Sequence, residues 1–171
     1  RAKSLGFDTN AIALVNVPSD SLSQLKFNTL KEKILHINGV KAVSFSNAAP
    51  SSNSNNTSSF KYNSTKDENF QLSVKSTDRD YINTFSLKLI AGRTLSKIDT
   101  LKETVVNETL LKKLNIRNPN EILGKFIQTQ GRKMPVVGVV KDFNNFSLHD
   151  KIEPTALFSY KGVYNLMAVK M

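Results

Sequence analysis

The sequence predicts a mixed α/β (α+β) fold of two lobes, in which a lobe of strand-helix-strand units is interrupted by a smaller inserted lobe. Three observations lead to this prediction. Residues 11–46 hold an apolar run, an apolar stripe at helical spacing and a second apolar run; shorter units begin at residue 78; and strand-like patterns return from residue 128. We therefore expect residues 1–77 and 128–171 to form the first lobe and residues 78–127 the inserted lobe.

The opening unit is predicted from its apolar pattern. Residues 11–17 are apolar at nearly every position, as in an interior strand, and Pro18 ends them. Leucine and isoleucine then recur at helical spacing over residues 22–37, which predicts a helix of about 17 residues. This helix should end at Asn38 and Gly39, because a left-handed C-terminal residue costs least at glycine or asparagine. Val43 and Phe45 alternate with serine, so a second strand follows.

A polar segment separates this unit from the next. Residues 51–59 are drawn only from serine, asparagine and threonine, which cannot bury apolar surface. We expect an exposed, mobile loop here, at the tip of a hairpin whose returning arm is residues 70–76. Whether the loop is a contact surface stays open.

The rest of the chain consists of shorter elements. Residues 103–107 read as a strand and residues 108–116 as a short helix, and turn chemistry follows at Pro119 and Gly124. A hairpin is predicted to turn at Gly131, with Val136 to Val140 in its second strand. Two more strands are expected within residues 155–160 and 164–171.

Composition limits the classes of function. The chain has 171 residues and no cysteine, which excludes disulfides, thiolate catalysis and cysteine zinc sites. It carries 24 lysines and arginines against 14 acidic residues, a formal charge of +10, which raises nucleic acid as a partner. The surplus is spread evenly along the chain, without an arginine-rich run or basic residues interleaved with aromatics. A solvated basic surface is therefore the favoured interpretation.

The segment from Val136 to Pro154 holds the main catalytic candidates. His149 is flanked by Asp142, Asp150 and Glu153, a set that could supply a general base or a metal site. Adjacent residues of an extended segment point to opposite sides, so His149 and Asp150 cannot converge on one ion. The other histidine, His36, falls in the first predicted helix, where a surface position is expected. We predict no catalytic, metal or cofactor residue, and a strand running into an exit loop, Asp142 to Pro154.

Two further motifs favour local architecture. Gly92 and Arg93 could form an anion site, but a glycine turn with Arg93 paired to a nearby carboxylate is the favoured interpretation. Asn107 stands where a strand meets a helix, so its side chain should cap that helix, and Glu108 is favourable in the first turn.

Taken together, six segments resemble, in order, the MacB-like periplasmic core domain of the permease subunits of FtsX-like ABC transporters. They are LGFDTNAIALVNV, INGVKAVSFSNAAP, DRDYINTFSLKLIAGRTLS, VVNETLLKKLNI, EILGKFI and VVGVVKDFNNFSLHDKIEP. The motif residues that carry the resemblance are Gly92, Arg93, Asn107, Glu108, Gly124, Gly138, Asp142 and Pro154.

The resemblance implies an extracytoplasmic domain of an inner-membrane permease, on the periplasmic side, whose two lobes are a porter lobe and an inserted sabre lobe. It implies a non-catalytic, mechanical role without a cofactor: a separate cytoplasmic ATP-binding subunit hydrolyses ATP, and this domain moves to export, extract or activate something outside. The implied partners are that subunit, a second permease, and an adaptor, lipoprotein or peptide cargo. The alternatives are a metal-assisted hydrolase using Asp142, His149 and Glu153, and a nucleic-acid-binding domain.

Overall fold

The structure is a computed structural model that describes residues 11–52, 56–97, 100–143 and 150–171. The strands are β1 Ile12–Asn16, β2 Ala42–Ser46, β3 Thr57–Ser58, β4 Phe60–Tyr62, β5 Leu72–Ser76, β6 Leu89–Gly92, β7 Thr104–Asn107, β8 Phe126–Thr129, β9 Arg132–Val140, β10 Thr155–Phe158 and β11 Leu166–Lys170. The helices are α1 Ser21–Leu25, α2 Phe27–Leu35, α3 Tyr81–Thr84 and α4 Glu108–Lys113, with 3-10 turns at Pro119–Ile122 and Lys161–Val163. The predicted mixed α/β class is confirmed.

A small antiparallel sheet contains β1, β11 and β2, in that order. Helix α2 covers one face, where Phe27 stacks on Phe45 at 4.4 Å between ring centroids. The other face packs toward α3, because Ala168 of β11 joins a buried cluster with Tyr81 and Phe85. The small sheet thus lies between two helices.

The structure corrects two predictions in this unit. Strand β1 lies at the edge of the small sheet rather than in its interior, and Leu14 and Val15 are exposed. The predicted 17-residue helix is two helices that break at Lys26, and Leu22 and Leu25 of α1 are 73% and 74% exposed. The apolar run was typical of a buried strand, but the position of a strand depends on pairing with residues far away along the chain.

The large sheet has the order β3-β5-β10-β7-β9-β8-β4, and β6 pairs with β9 beside β8. The pairs β5–β10 and β7–β9 are parallel. One buried cluster, including Leu72, Val106 and Ile127, lies on one side of this sheet, and a second, including Val105 and Leu157, lies on the other. Alternate residues of β7 therefore serve two cores.

Several local predictions can be compared with these elements. The hairpin that turns at Gly131 is confirmed, because β8 and β9 pair antiparallel through left-handed Gln130 and Gly131. Within the predicted polar loop, Thr57–Ser58 forms β3 and pairs with β5, while residues 53–55 lie outside the described chain. The division into lobes near residues 78 and 127 stays a prediction. Strand β7, from the range 78–127, lies between β9 and β10 of the flanking ranges.

Candidate functional site

Three of the motif residues that carry the family resemblance, Asn107, Glu108 and Asp142, meet at the start of helix α4. Asn107, the last residue of β7, caps α4: its Oδ1 accepts hydrogen bonds from the backbone N–H groups of Leu110, at 3.2 Å, and Thr155, at 2.9 Å. Its Nδ2 donates to the Glu153 carbonyl at 2.9 Å. The predicted N-cap at Asn107 is confirmed, and the same side chain also ties α4 to the start of β10.

Asp142, which follows the end of β9, and Glu108, the first residue of α4, complete this arrangement. The Asp142 carboxylate accepts from the Thr109 N–H at 2.7 Å and from the Lys112 ammonium at 3.1 Å. In return, Glu108 accepts from the Asp142 N–H at 2.9 Å. We call Asn107, Glu108 and Asp142 the α4 hub. Its side chains hold helix α4 to three strands, and Asp142 supplies negative charge at the positive end of the helix.

Gly92 of β6 and Gly138 of β9 lie opposite each other where these two strands pair antiparallel. A Cβ on Gly138 would overlap the Arg93 carbonyl oxygen, and one on Gly92 would overlap the Val137 carbonyl oxygen. Gly92 also has φ of +68°, which favours glycine. Glycine is required here so that two backbones can touch.

The remaining motif residues have local roles. Arg93 donates to both Glu103 oxygens, at 3.1 and 2.7 Å, as the carboxylate-pairing interpretation predicted. These hydrogen bonds lower the pKa of Glu103 to about 2. Gly124 turns the chain with φ of +81°, and the carbonyl of buried Pro154 accepts from the Ser73 N–H. The function of the set as a whole stays a prediction.

The hydrolase candidates can be located only in part. His149 lies outside the described residues. The Asp142 carboxylate is occupied in the α4 hub, and the Glu153 side chain is exposed. Within the described ranges, no group of three histidine or acidic residues could hold a metal ion. His36 is exposed at the end of α2, as expected.

The structure reveals a polar cluster that the sequence did not indicate. The Lys31 ammonium, on α2, pairs with Asp78 at 2.5 Å and Asp80 at 2.7 Å. Asp78 also accepts from the Phe45 N–H of β2 at 2.9 Å, so helix, small sheet and the start of α3 meet at this carboxylate. These residues lie 47 and 49 positions apart, so no local pattern joins them.

Burial and charge compete in this cluster. Asp78 is only 6% exposed, and desolvation raises its pKa to about 6 although Lys31 opposes the shift. Burial acts to lower the pKa of Lys31, but the charges and hydrogen bonds of Asp78 and Asp80 outweigh it and raise that pKa. Lys31 therefore stays charged at neutral pH.

The cluster borders a cleft of about 380 Å³, which we call the α2 cleft. Buried Phe27, Phe45 and Tyr164 form its floor. The charged groups at its wall come from four segments: Lys31 and Glu32 on α2; Asp78, Arg79 and Asp80 before α3; Lys97; and Lys161. The cleft lies where α2, which covers the small sheet, meets residues 78–80, which follow β5 of the large sheet.

Comparison with known proteins bears on the whole chain. The family model described as "MacB-like periplasmic core domain" matches residues 5–170. Among solved structures, the periplasmic region of MacB from Actinobacillus actinomycetemcomitans is 16% identical, with a TM-score of 0.59 over 97% of this chain and 76% of that one.

Two more structures share the fold. The extracellular domain of the ABC-type transporter YknZ from Gram-positive bacteria is 16% identical, with a TM-score of 0.58 over 94% of this chain and 82% of that one. A domain of a putative permease from Porphyromonas gingivalis is 15% identical, with a TM-score of 0.59 over 94% and 73%. Curated protein sequences give no match. Within the described residues, no helix is long and apolar enough to span a membrane.

Proposed function

This chain belongs to the family of MacB-like periplasmic core domains of ABC transporter permeases, and from that premise we propose that it is a non-catalytic, mechanical part of such a transporter. A cytoplasmic ATP-binding subunit hydrolyses ATP, membrane helices of the parent permease transmit the movement, and this domain moves on the extracytoplasmic side. The movement exports a molecule, extracts it from the membrane or activates a partner. The observation that carries this proposal is the family match over residues 5–170.

The use of the polar motif residues supports a mechanical role. The carboxylate of Asp142 accepts a helix N–H and a lysine ammonium, and the Asn107 amide makes three hydrogen bonds to backbone groups. Each side chain is therefore occupied in holding strands and helix together. A satisfied polar network of this kind rigidifies the elements that it joins, which suits a mechanical part.

The proposed partners follow from the family. Permeases of ABC transporters work with an ATPase, and we propose a permease dimer with this domain exposed at the periplasmic side of the inner membrane. A periplasmic adaptor, a lipoprotein or a peptide is the proposed partner or cargo. We further propose the division into a porter lobe (residues 1–77 and 128–171) and a sabre lobe (residues 78–127). Neither the fold comparisons nor the family match supports a metal-assisted hydrolase or a nucleic-acid-binding domain.

The test uses the full-length permease with its ATPase subunit in proteoliposomes. Replacing residues 11–171 by a short flexible linker should abolish transport, while ATP hydrolysis continues at a rate within a few-fold of the intact complex. Transport that continues without the domain would overturn the proposal.

A second measurement separates the mechanical role from the hydrolase. His149→Gln and Glu153→Gln should each leave transport within about twofold of wild type, because neither side chain is expected to take part in chemistry. Loss of transport in a folded, membrane-inserted His149→Gln complex, or stoichiometric metal in the chelator-washed domain, would favour the hydrolase instead.

A further inference from the structure

The charges of the α2 cleft are not all used within the protein. Lys31 pairs with Asp78 and Asp80 by direct contact, and its single positive charge balances one of the two carboxylates. The other ionisable groups of the wall are three cations, Arg79, Lys97 and Lys161, and one acid, Glu32. Among the described residues, none of these four has an ion-pair partner within 4.0 Å. Over all the lining residues, four cations stand against three acids, so the cleft has a net formal charge of +1.

Tertiary contacts bring the three cations together from distant parts of the chain. The Thr94 hydroxyl donates to the Arg79 carbonyl at 3.2 Å, which holds the segment that leads to Lys97 beside the 78–80 loop. Lys161 begins a 3-10 turn, and the chain after this turn is fixed to β2 by the hydrogen bond from the Asn165 N–H to the Ser46 carbonyl. The cations thus converge because of the fold, unlike lysines that are neighbours in sequence.

The cleft also has the size and floor of a small-molecule site. Its volume of about 380 Å³ falls in the range typical of ligand pockets, roughly 300–1,000 Å³. Arg79 offers a planar fork that suits carboxylate or phosphate, and the two lysines add point charges on flexible stems. Buried aromatic residues also line the cleft, and such low-dielectric walls strengthen the attraction of its cations for an anion.

We propose that the α2 cleft binds the oxyanion of a small ligand, a phosphate or a carboxylate, through Arg79, Lys97 and Lys161. The site goes beyond the proposed mechanical role and does not depend on it. Because Lys31, Asp78 and Asp80 line the same cleft, a bound anion lies next to the contacts that hold α2 to the loop before α3.

The experiment is an NMR titration of the ¹⁵N-labelled 171-residue chain with inorganic phosphate at pH 7, in which sodium chloride keeps the ionic strength constant. We expect saturable shifts at residues 78–80, 97 and 161–164. Sodium acetate and glycerol 3-phosphate, titrated in parallel, distinguish a carboxylate ligand from an inorganic or organic phosphate. Saturation by any of the three at these residues supports the site.

Matched variants give the control. The combined variant Arg79→Gln, Lys97→Gln and Lys161→Gln should weaken the binding at least tenfold. The combined variant Lys66→Gln, Arg117→Gln and Lys125→Gln removes three exposed cations outside the cleft and should change it less than twofold. Five of the six side chains are exposed and Lys161 is half-buried, so both variants should fold; if the cleft variant does not fold, Lys161→Glu alone replaces it. Equal shifts around the cleft and around residues 66, 117 and 125, or unchanged binding in the cleft variant, would overturn the proposal.

Discussion

The α4 hub and the junction around the α2 cleft use polar residues in opposite ways. In the hub, side-chain amide and carboxylates are paired with backbone groups of α4, β9 and β10. At the junction between the small sheet and α3, the buried hydroxyls of Ser44, Thr77 and Thr84 have no hydrogen-bond partner in the described structure. Asp78 is also buried at this junction, and its desolvation raises its pKa.

The difference indicates which part of the molecule can rearrange at the lower cost. A buried polar group without a partner costs free energy, about 1–3 kcal/mol each, whereas a fully paired network rigidifies its surroundings. The contacts of Asp78 with Lys31 and the Phe45 N–H hold the junction, but its three hydroxyls have no hydrogen bonds to lose in the described structure. In the proposed mechanical role, we expect α4 and its strands to move as one body and the junction to adjust.

The largest loss of stability is expected at Gly138 of β9, where the neighbouring backbone leaves no space for a side chain. Gly138→Ala places a methyl group against the Arg93 carbonyl oxygen. The backbones of β6 and β9 are paired there, so they cannot move apart without a large cost in free energy. We expect a loss of about 3 kcal/mol in the free energy of unfolding, measured by urea denaturation. Gly162→Ala is the matched control, since its new methyl meets only the flexible Tyr160 ring. Similar losses of stability in both variants would contradict the close backbone contact at Gly138.

Removing the Asn107 cap should cost less stability than Gly138→Ala. Asn107→Ala removes the side-chain acceptor of the Leu110 and Thr155 N–H groups and one of the two donors to the Glu153 carbonyl, which keeps the Thr155 hydroxyl. We expect a loss of about 2–3 kcal/mol in the free energy of unfolding, because a lost cap adds to unpaired buried groups. Asn118→Ala, which removes an exposed cap on a 3-10 turn, should cost about 0.5 kcal/mol by the same measurement.

The junction should show an unusual pH dependence. The raised pKa of Asp78, about 6, means that the folded protein binds a proton more readily than the unfolded chain does. Stability from this group is therefore gained as pH falls from 7 toward 4, by about 2 kcal/mol relative to Asp78→Asn. Glu103, with its lowered pKa, has the opposite sign: its contribution is present above its ordinary pKa and is lost in acid. Urea denaturation of both proteins at pH 4, 5, 6 and 7 measures the difference. A stability difference between the two proteins that stays constant across this range would show that the pKa of Asp78 is not raised in the folded protein.

A smaller effect is expected at Lys75 on β5. This side chain is only 2% exposed, and burial lowers its pKa to about 8. Lys75→Met should raise the free energy of unfolding by about 1–2 kcal/mol at pH 7, since no charge is then buried. Wild-type stability should approach that of the variant as pH rises from 8 to 10, because the folded protein loses its proton first. Lys66→Met, at an exposed position, should show neither change.

How far the sequence reaches depends on the distance between the residues involved. The cap at Asn107 and the turn at Gly131 follow from chemistry within a few positions, and both could be predicted. Strand β1 shows the limit, because the same apolar run suits an interior or an edge strand. The helix break at Lys26 did leave a trace: Leu25 and Leu30 are five positions apart, a shift in phase that a continuous stripe does not contain.

The candidate sites illustrate the same limit more strongly. Gly92 and Gly138 were recognisable as motif residues, but their contact joins positions 46 apart, and only the fold shows it. The wall of the α2 cleft combines α2 with residues 78–80, 97 and 161, none of which stands out locally. Phe27, which anchors α2 on the small sheet, was missed because the leucines around it dominated the pattern.

The edge position of β1 affects how an oligomer of the isolated domain is interpreted. No strand of the described residues pairs with the outer side of β1, which lies beside exposed Leu14 and Val15 and offers a template on which a second copy can add a strand. A dimer seen in dilute solution can therefore arise from edge-to-edge association, independently of how two permeases assemble in a membrane. A lysine introduced at Leu14 distinguishes the two sources, because it disfavours the edge contact and leaves the transporter's own assembly unchanged.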